Sequence, residues 1–202
     1  MLTRVLQNTI YKLKTGHGLS AKAYLSNQIR RILGTCQGSG ASPCIWTLVL
    51  DTILWAVANK YKCFHIQSPS GIQINRVGDS FVDDTSLFYI NNDDPTLKPH
   101  STQDIAHHLE IIAQDFERKL HSTGGKLSLP KCFWYLVHWV WDEEGTATMT
   151  KIPQSPASIK LTQGSFPTTV SIKREEIDKS IRTIGVRVNP LGKTYTEFQH
   201  RL

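Results

Sequence analysis

Apolar residues crowd the stretch Ile45, Trp46, Leu48, Val49, Ile53, Leu54 and Val57, directly after Ser42 and Pro43. Serine caps a helix and proline fits its first turn, so a helix is predicted from here to Asn59, about 24 Å long at about 1.5 Å per residue. It is apolar on most sides and is expected to cross under a sheet as a core helix. A second helix is predicted from Ser101-Thr102-Gln103-Asp104, which resembles a capping box, through Ile105, Leu109, Ile112, Ala113, Phe116 and Leu120. Gly124-Gly125 ends it.

Between the helices the pattern changes to one of strands. Ile72, Ile74 and Val77 precede Gly78-Asp79, and Phe81 to Ile90 is rich in aromatic and β-branched residues around Asp83-Asp84. The two carboxylates are therefore expected at or near a hairpin tip. Beyond the second helix, Cys132 to Trp141 reads as one strand of large apolar groups, turned by Asp142-Glu143-Glu144-Gly145 into Thr146 to Ile152. Further short strands are predicted over Ser158 to Thr162, Thr168 to Lys173 and Thr183 to Val188, with a turn at Asn189 to Gly192. Of the five tryptophans, Trp46, Trp134, Trp139 and Trp141 are expected to pack in the core.

The fold class that follows is α+β, a mainly antiparallel sheet with two helices packed on one face. Three segments are expected: a basic lead-in over 1–33, a core over 34–152 and a strand-rich C-terminal extension over 153–202.

Charge adds a partner class. The 202 residues carry a net charge of +6, and no Asp or Glu precedes Asp51, whereas Arg4, Lys12, Lys14, Lys22, Arg30 and Arg31 do. Such a cationic front suits a phosphate backbone. Cys36, Cys44, Cys63 and Cys132 form no C-x-x-C pair, which argues against a zinc site or a dense disulfide framework. His107 and His108 point about 100° apart on a helix, a poor geometry for a shared metal. The longest apolar run, Ile45 to Ala58, contains Asp51 and is too short to span a bilayer. An intracellular location, cytoplasmic or nuclear, without membrane insertion is expected.

Candidate chemistry centres on Phe81-Val82-Asp83-Asp84. A hard cation seeks carboxylate oxygens, and a hairpin fixes their direction. Neighbouring side chains on a strand face opposite ways, so both carboxylates address one ion only if the tip is bent. Upstream, Gln37-Gly38-Ser39-Gly40-Ala41-Ser42-Pro43 joins a glycine-rich loop to a helix N-terminus, which lets backbone approach a nucleotide and presents amides to phosphate.

This pairing of Q-G-x-x-x-S-P with a downstream aromatic-x-Asp-Asp resembles the reverse transcriptases of eukaryotic retroelements. The resemblance implies a partial polymerase palm and RNA-directed DNA synthesis by two-metal phosphoryl transfer. Gln37, Gly38, Ser42 and Pro43 then contact nucleotide and template, as does Phe81, while Asp83 and Asp84 are catalytic and hold Mg²⁺ or Mn²⁺. Gly124 to Cys132 resembles the glycine-lysine stretch after the second palm helix, which maps Lys131 to the nucleotide triphosphate. Ile184 to Gly192 resembles the strand and turn that follow the palm. The implied partners are an RNA template, a DNA primer and deoxynucleoside triphosphates.

Here the chain departs from the family. In reverse transcriptases a further Asp for the two metals comes from a strand upstream of the Gln-Gly loop, and no acidic residue stands there in this sequence. By the resemblance, the fingers that precede that strand are expected to be missing too. Three readings follow: a reverse-transcriptase fragment that works with its missing N-terminal part, an inactive retroelement remnant that binds nucleic acid through its basic face, and, more distantly, a metal-dependent hydrolase built on Asp83, Asp84, Asp93 and Asp94.

Overall fold

The computed structural model describes residues 10–16, 18–25, 42–61, 64–90, 101–152, 155–164, 168–183 and 186–192. Two helices order the chain. α1 spans Ser42–Ala58 and α2 spans Thr102–Ser122. The sequence reading of α2 holds at both ends. The Ser101 hydroxyl accepts from the Asp104 N–H, and the Asp104 carboxylate accepts from the Ser101 N–H at 3.0 Å. At the other end Gly124 takes φ +89°, a left-handed conformation that lets the chain leave the helix.

α2 is the spine because it serves two cores. Ile112, Phe116 and Leu120, spaced by four, join Leu50, Ile53 and Val57 of α1 together with Val77. The neighbouring row Ile105, Leu109 and Ala113 packs with Ala106 against Leu129, Trp134, Leu136, Ala157, Ile159, Leu161 and Ile172. Residues four apart stack on one helix face, so two adjacent apolar rows give one helix two partners. Segments on both sides of residue 152 therefore contribute to the second core.

α1 differs from the buried core helix expected. It buries a single stripe, Leu50, Ile53 and Val57, against α2, and leaves Leu48 and Trp55 exposed. Its end is tied twice. The Asn75 amide donates to the Ala58 carbonyl, and Lys60 pairs with Asp115 of α2.

The strands are mainly antiparallel, as expected of the α+β class, and fall into small sheets. β1 (Ile10–Thr15) pairs with β2 (Gly18–Leu25), β3 (Phe64–Gln67) with β4 (Gln73–Arg76), and β5 (Gly78–Phe81) with β6 (Asp84–Leu87). After a short 3-10 turn at Leu129–Lys131 come β7 (Phe133–Tyr135), β8 (His138–Trp141) and β9 (Ala147–Thr150). β10 (Ile159–Thr162), β11 (Thr169–Glu175) and β7 form a three-stranded sheet in which β11 and β7 run parallel.

Two expected strands prove to be divided. The run from Cys132 to Trp141 breaks after Tyr135: β7 enters the three-stranded sheet, and β8 turns back on β9 through the Asp142 turn. Trp134 is buried and its indole donates to the Ile172 carbonyl at 3.2 Å. Trp139 and Trp141 are 49% and 68% exposed, contrary to the core placement expected of them. The hairpin that carries them pairs only with itself among the described residues, so alternation along it meets no second layer. The stretch Thr183 to Val188 likewise divides into β12 (Ile181–Thr183) and β13 (Val186–Val188), which pair with each other.

No helix among the described residues is long and apolar enough to cross a membrane.

Candidate metal and nucleotide site

β5 and β6 form a hairpin with a two-residue turn, Val82-Asp83, since Phe81 pairs with Asp84 and the register runs back to Gly78 opposite Leu87. Gly78 is required there, because a Cβ would lie 2.3 Å from the Ser86 carbonyl oxygen. Ser80 braces the pair, its hydroxyl 3.1 Å from the Asp84 carbonyl oxygen and 3.0 Å from the Thr85 hydroxyl. Below the hairpin the Phe88 N–H donates to the Val77 carbonyl, and the Tyr89 ring stacks on His108 of α2 with centroids 5.0 Å apart.

Val82 carries the unusual feature. Its φ is +57°, the one positive value outside glycine among the described residues. A β-branched residue in the left-handed region is strained by about 1 to 3 kcal/mol and persists only where its surroundings enforce it. The residue is 63% exposed, so burial does not hold it. Turns of this length favour such a conformation at their first position, where glycine is the usual occupant. The tip is bent, and Asp83 lies in the turn while Asp84 opens β6.

Both carboxylates are exposed, and neither makes a hydrogen bond or ion pair among the described residues. Phe81, paired with Asp84, is 58% exposed. Two unpaired carboxylates are the donor type that Mg²⁺ or Mn²⁺ takes, and they fill only part of a six-oxygen shell. Among the described residues no group of three or more His, Cys, Asp or Glu is placed to hold a metal ion.

The structure joins one end of the first motif to the second. α1 begins at Ser42 with Pro43 in its first turn, and in the next residues the Trp46 indole N–H donates to the Val82 carbonyl. The helix start and the hairpin tip are thus in contact. Gln37, Gly38, Asp93 and Asp94 lie outside the described residues. Lys131 is exposed in the 3-10 turn whose Leu129 belongs to the second core, whereas the hairpin rests on the first. No hydrogen bond or ion pair among the described residues links it to Asp83 or Asp84.

No family model, curated protein or solved structure matches the chain.

Sequence reasoning missed Trp46 and Val82 as parts of this site. Trp46 read as core, which is half correct, since its ring packs against the first core. Valine at a turn position gave no sign, because only the backbone angle sets it apart.

Proposed function

We propose that the chain is part of a reverse-transcriptase palm from a retroelement, in which Asp83 and Asp84 hold Mg²⁺ or Mn²⁺ for RNA-directed DNA synthesis. What carries the reading is the bent hairpin tip: a strained Val82 directly before two exposed carboxylates that have no partner among the described residues, docked on the helix that starts at Ser42-Pro43. Strain at an exposed tip is stored where geometry serves chemistry. When bound, the ions lower the charge barrier between an attacking 3′ hydroxyl and a triphosphate. The chain's own part is to hold two oxygen donors at a fixed tip, with Phe81 beside them as an apolar contact for a nucleotide.

In this reading Gln37 and Gly38 approach the nascent pair, Ser42 and Pro43 begin the supporting helix, and Lys131 meets the triphosphate. The further carboxylate that reverse transcriptases place ahead of the Gln-Gly loop has no counterpart here, since no acidic residue precedes Asp51. A second reading, an inactive remnant that binds nucleic acid, is favoured by the acid-free front, where Lys12 and Lys22 are exposed on the β1–β2 hairpin.

Calorimetric titration with Mn²⁺ tests the metal reading. One weak, millimolar site is expected, lost in the Asp83→Asn, Asp84→Asn double variant. Equal binding by the double variant reduces Asp83-Asp84 to a turn.

A further inference from the structure

We propose that Trp46 is a positioning residue: its indole N–H, donated to the Val82 carbonyl, holds the left-handed backbone of Val82 and with it the direction of Asp83 and Asp84. The inference rests on the metal reading of the hairpin and adds the device that fixes its geometry.

In a two-residue turn the conformation of the first residue decides where the peptide plane between the two residues lies. Rotation at Val82 swings the Val82 carbonyl and the Asp83 backbone together. The ladder from Gly78–Leu87 to Phe81–Asp84 and the Ser80 contacts hold the two strands, but they act below the tip. At Val82 itself the side chain is largely in solvent, and among the described residues the Trp46 indole is the side chain that grips its carbonyl. A strained valine needs such a grip, because its branched side chain disfavours the left-handed well that glycine enters without cost.

Trp46 is suited to the task because it is itself anchored. Its ring packs against the first core, and it stands on the first turns of α1, four residues after Ser42. An indole N–H donates and cannot accept, so its partner at the tip has to be an acceptor such as a carbonyl. One contact therefore locks the turn and couples it to the start of the helix. Valine, once locked, leaves the tip fewer alternative backbone states than glycine.

A two-residue cycle tests this on the full chain, with Trp46→Phe removing the donor but keeping a ring, and Val82→Gly removing the strain. Three readouts are taken: Mn²⁺ affinity, amide hydrogen exchange from Phe81 to Thr85, and the thermal midpoint. With one hydrogen bond lost, Trp46→Phe is expected to weaken Mn²⁺ binding and to speed exchange at the tip by about threefold to tenfold. In the Val82→Gly background the same change should move both by less than about twofold, so the effects are not additive.

The proposal is overturned if Trp46→Phe shifts the thermal midpoint while affinity and tip exchange keep their parent values. It is equally overturned if the losses are the same in both backgrounds, as packing alone would give. Absence of Mn²⁺ binding in the parent would remove the metal reading, and tip exchange would still decide whether Trp46 holds the turn.

Discussion

Gln114 on α2 grips Thr162 on β10 from both directions: its side-chain oxygen accepts from the Thr162 N–H at 2.8 Å and hydroxyl at 3.0 Å, and its side-chain amide donates to the Thr162 carbonyl at 3.0 Å. The contact is part of a row. Glu110 accepts from the Lys160 N–H at 2.6 Å, and Glu117, 1% exposed, accepts from the Gly164 N–H at 2.9 Å. Helix positions three and four apart meet positions two apart along β10 and just past its end, so α2 satisfies the edge of the three-stranded sheet at Lys160 and Thr162.

Gln114→Ala should therefore leave part-buried backbone groups unsatisfied and cost about 1 to 3 kcal/mol. Gln103→Ala, on an exposed face of the same helix, should change stability by less than about 0.5 kcal/mol. Urea unfolding of the two variants separates them, and equal midpoints would remove the edge-covering role.

Acid should act through two carboxylates. Burial by itself would push Asp115 up, but hydrogen bonds from Lys119 and Lys60 outweigh it and hold the group below its ordinary 3.8. Lys173 and then Lys179 hold Glu175 below its ordinary 4.5. A folded-state value below the unfolded one gives stability that is present above the unfolded value and is lost as pH falls through the folded one. Stability should thus decline as pH drops below about 4.5, and Asp115→Asn with Glu175→Gln should flatten that decline. Urea midpoints measured from pH 6 down to pH 3 check this, and an unchanged slope in the double variant would refute it.

The tryptophans should separate by environment. Trp134→Ala empties a buried site and should cost about 3 to 5 kcal/mol. Trp139→Ala and Trp141→Ala together should cost far less, about 1 kcal/mol or under, while removing much of the fluorescence that acrylamide quenches. A large loss of stability in the pair would show that the β8–β9 hairpin is buried in solution.

If the acid-free front meets phosphate, as the second reading has it, binding to single-stranded nucleic acid should weaken as salt rises. Lys12→Ala with Lys22→Ala should lower the slope of log affinity against log salt by at most about 1.4, the share of two phosphate contacts. Salt-independent binding would contradict a phosphate contact.

Primer extension on an RNA template should be undetectable with these 202 residues by themselves. A two-metal centre short of one carboxylate loses several kcal/mol of transition-state stabilisation, about 10³-fold or more in rate. Extension that Asp83→Asn abolishes would contradict this.

The sequence by itself determined what neighbours along the chain decide. Ser101 and Asp104 start α2 and Gly124 ends it, the row from Ile105 to Leu120 repeats at helical spacing, and Asp142 with Gly145 makes its turn, because caps, turns and periodicity are interactions within a few residues. The location of Asp83-Asp84 at a hairpin tip was legible for the same reason. Only the tertiary structure decided which tryptophans are buried, where Cys132 to Trp141 breaks, and that Glu110, Gln114 and Glu117 face a sheet edge and not solvent. It alone brought Trp46 to Val82, 36 positions away, and Gln114 to Thr162, 48 positions away. Such contacts leave no period in the chain, because they depend on how two finished elements pack and on a backbone angle that valine does not advertise.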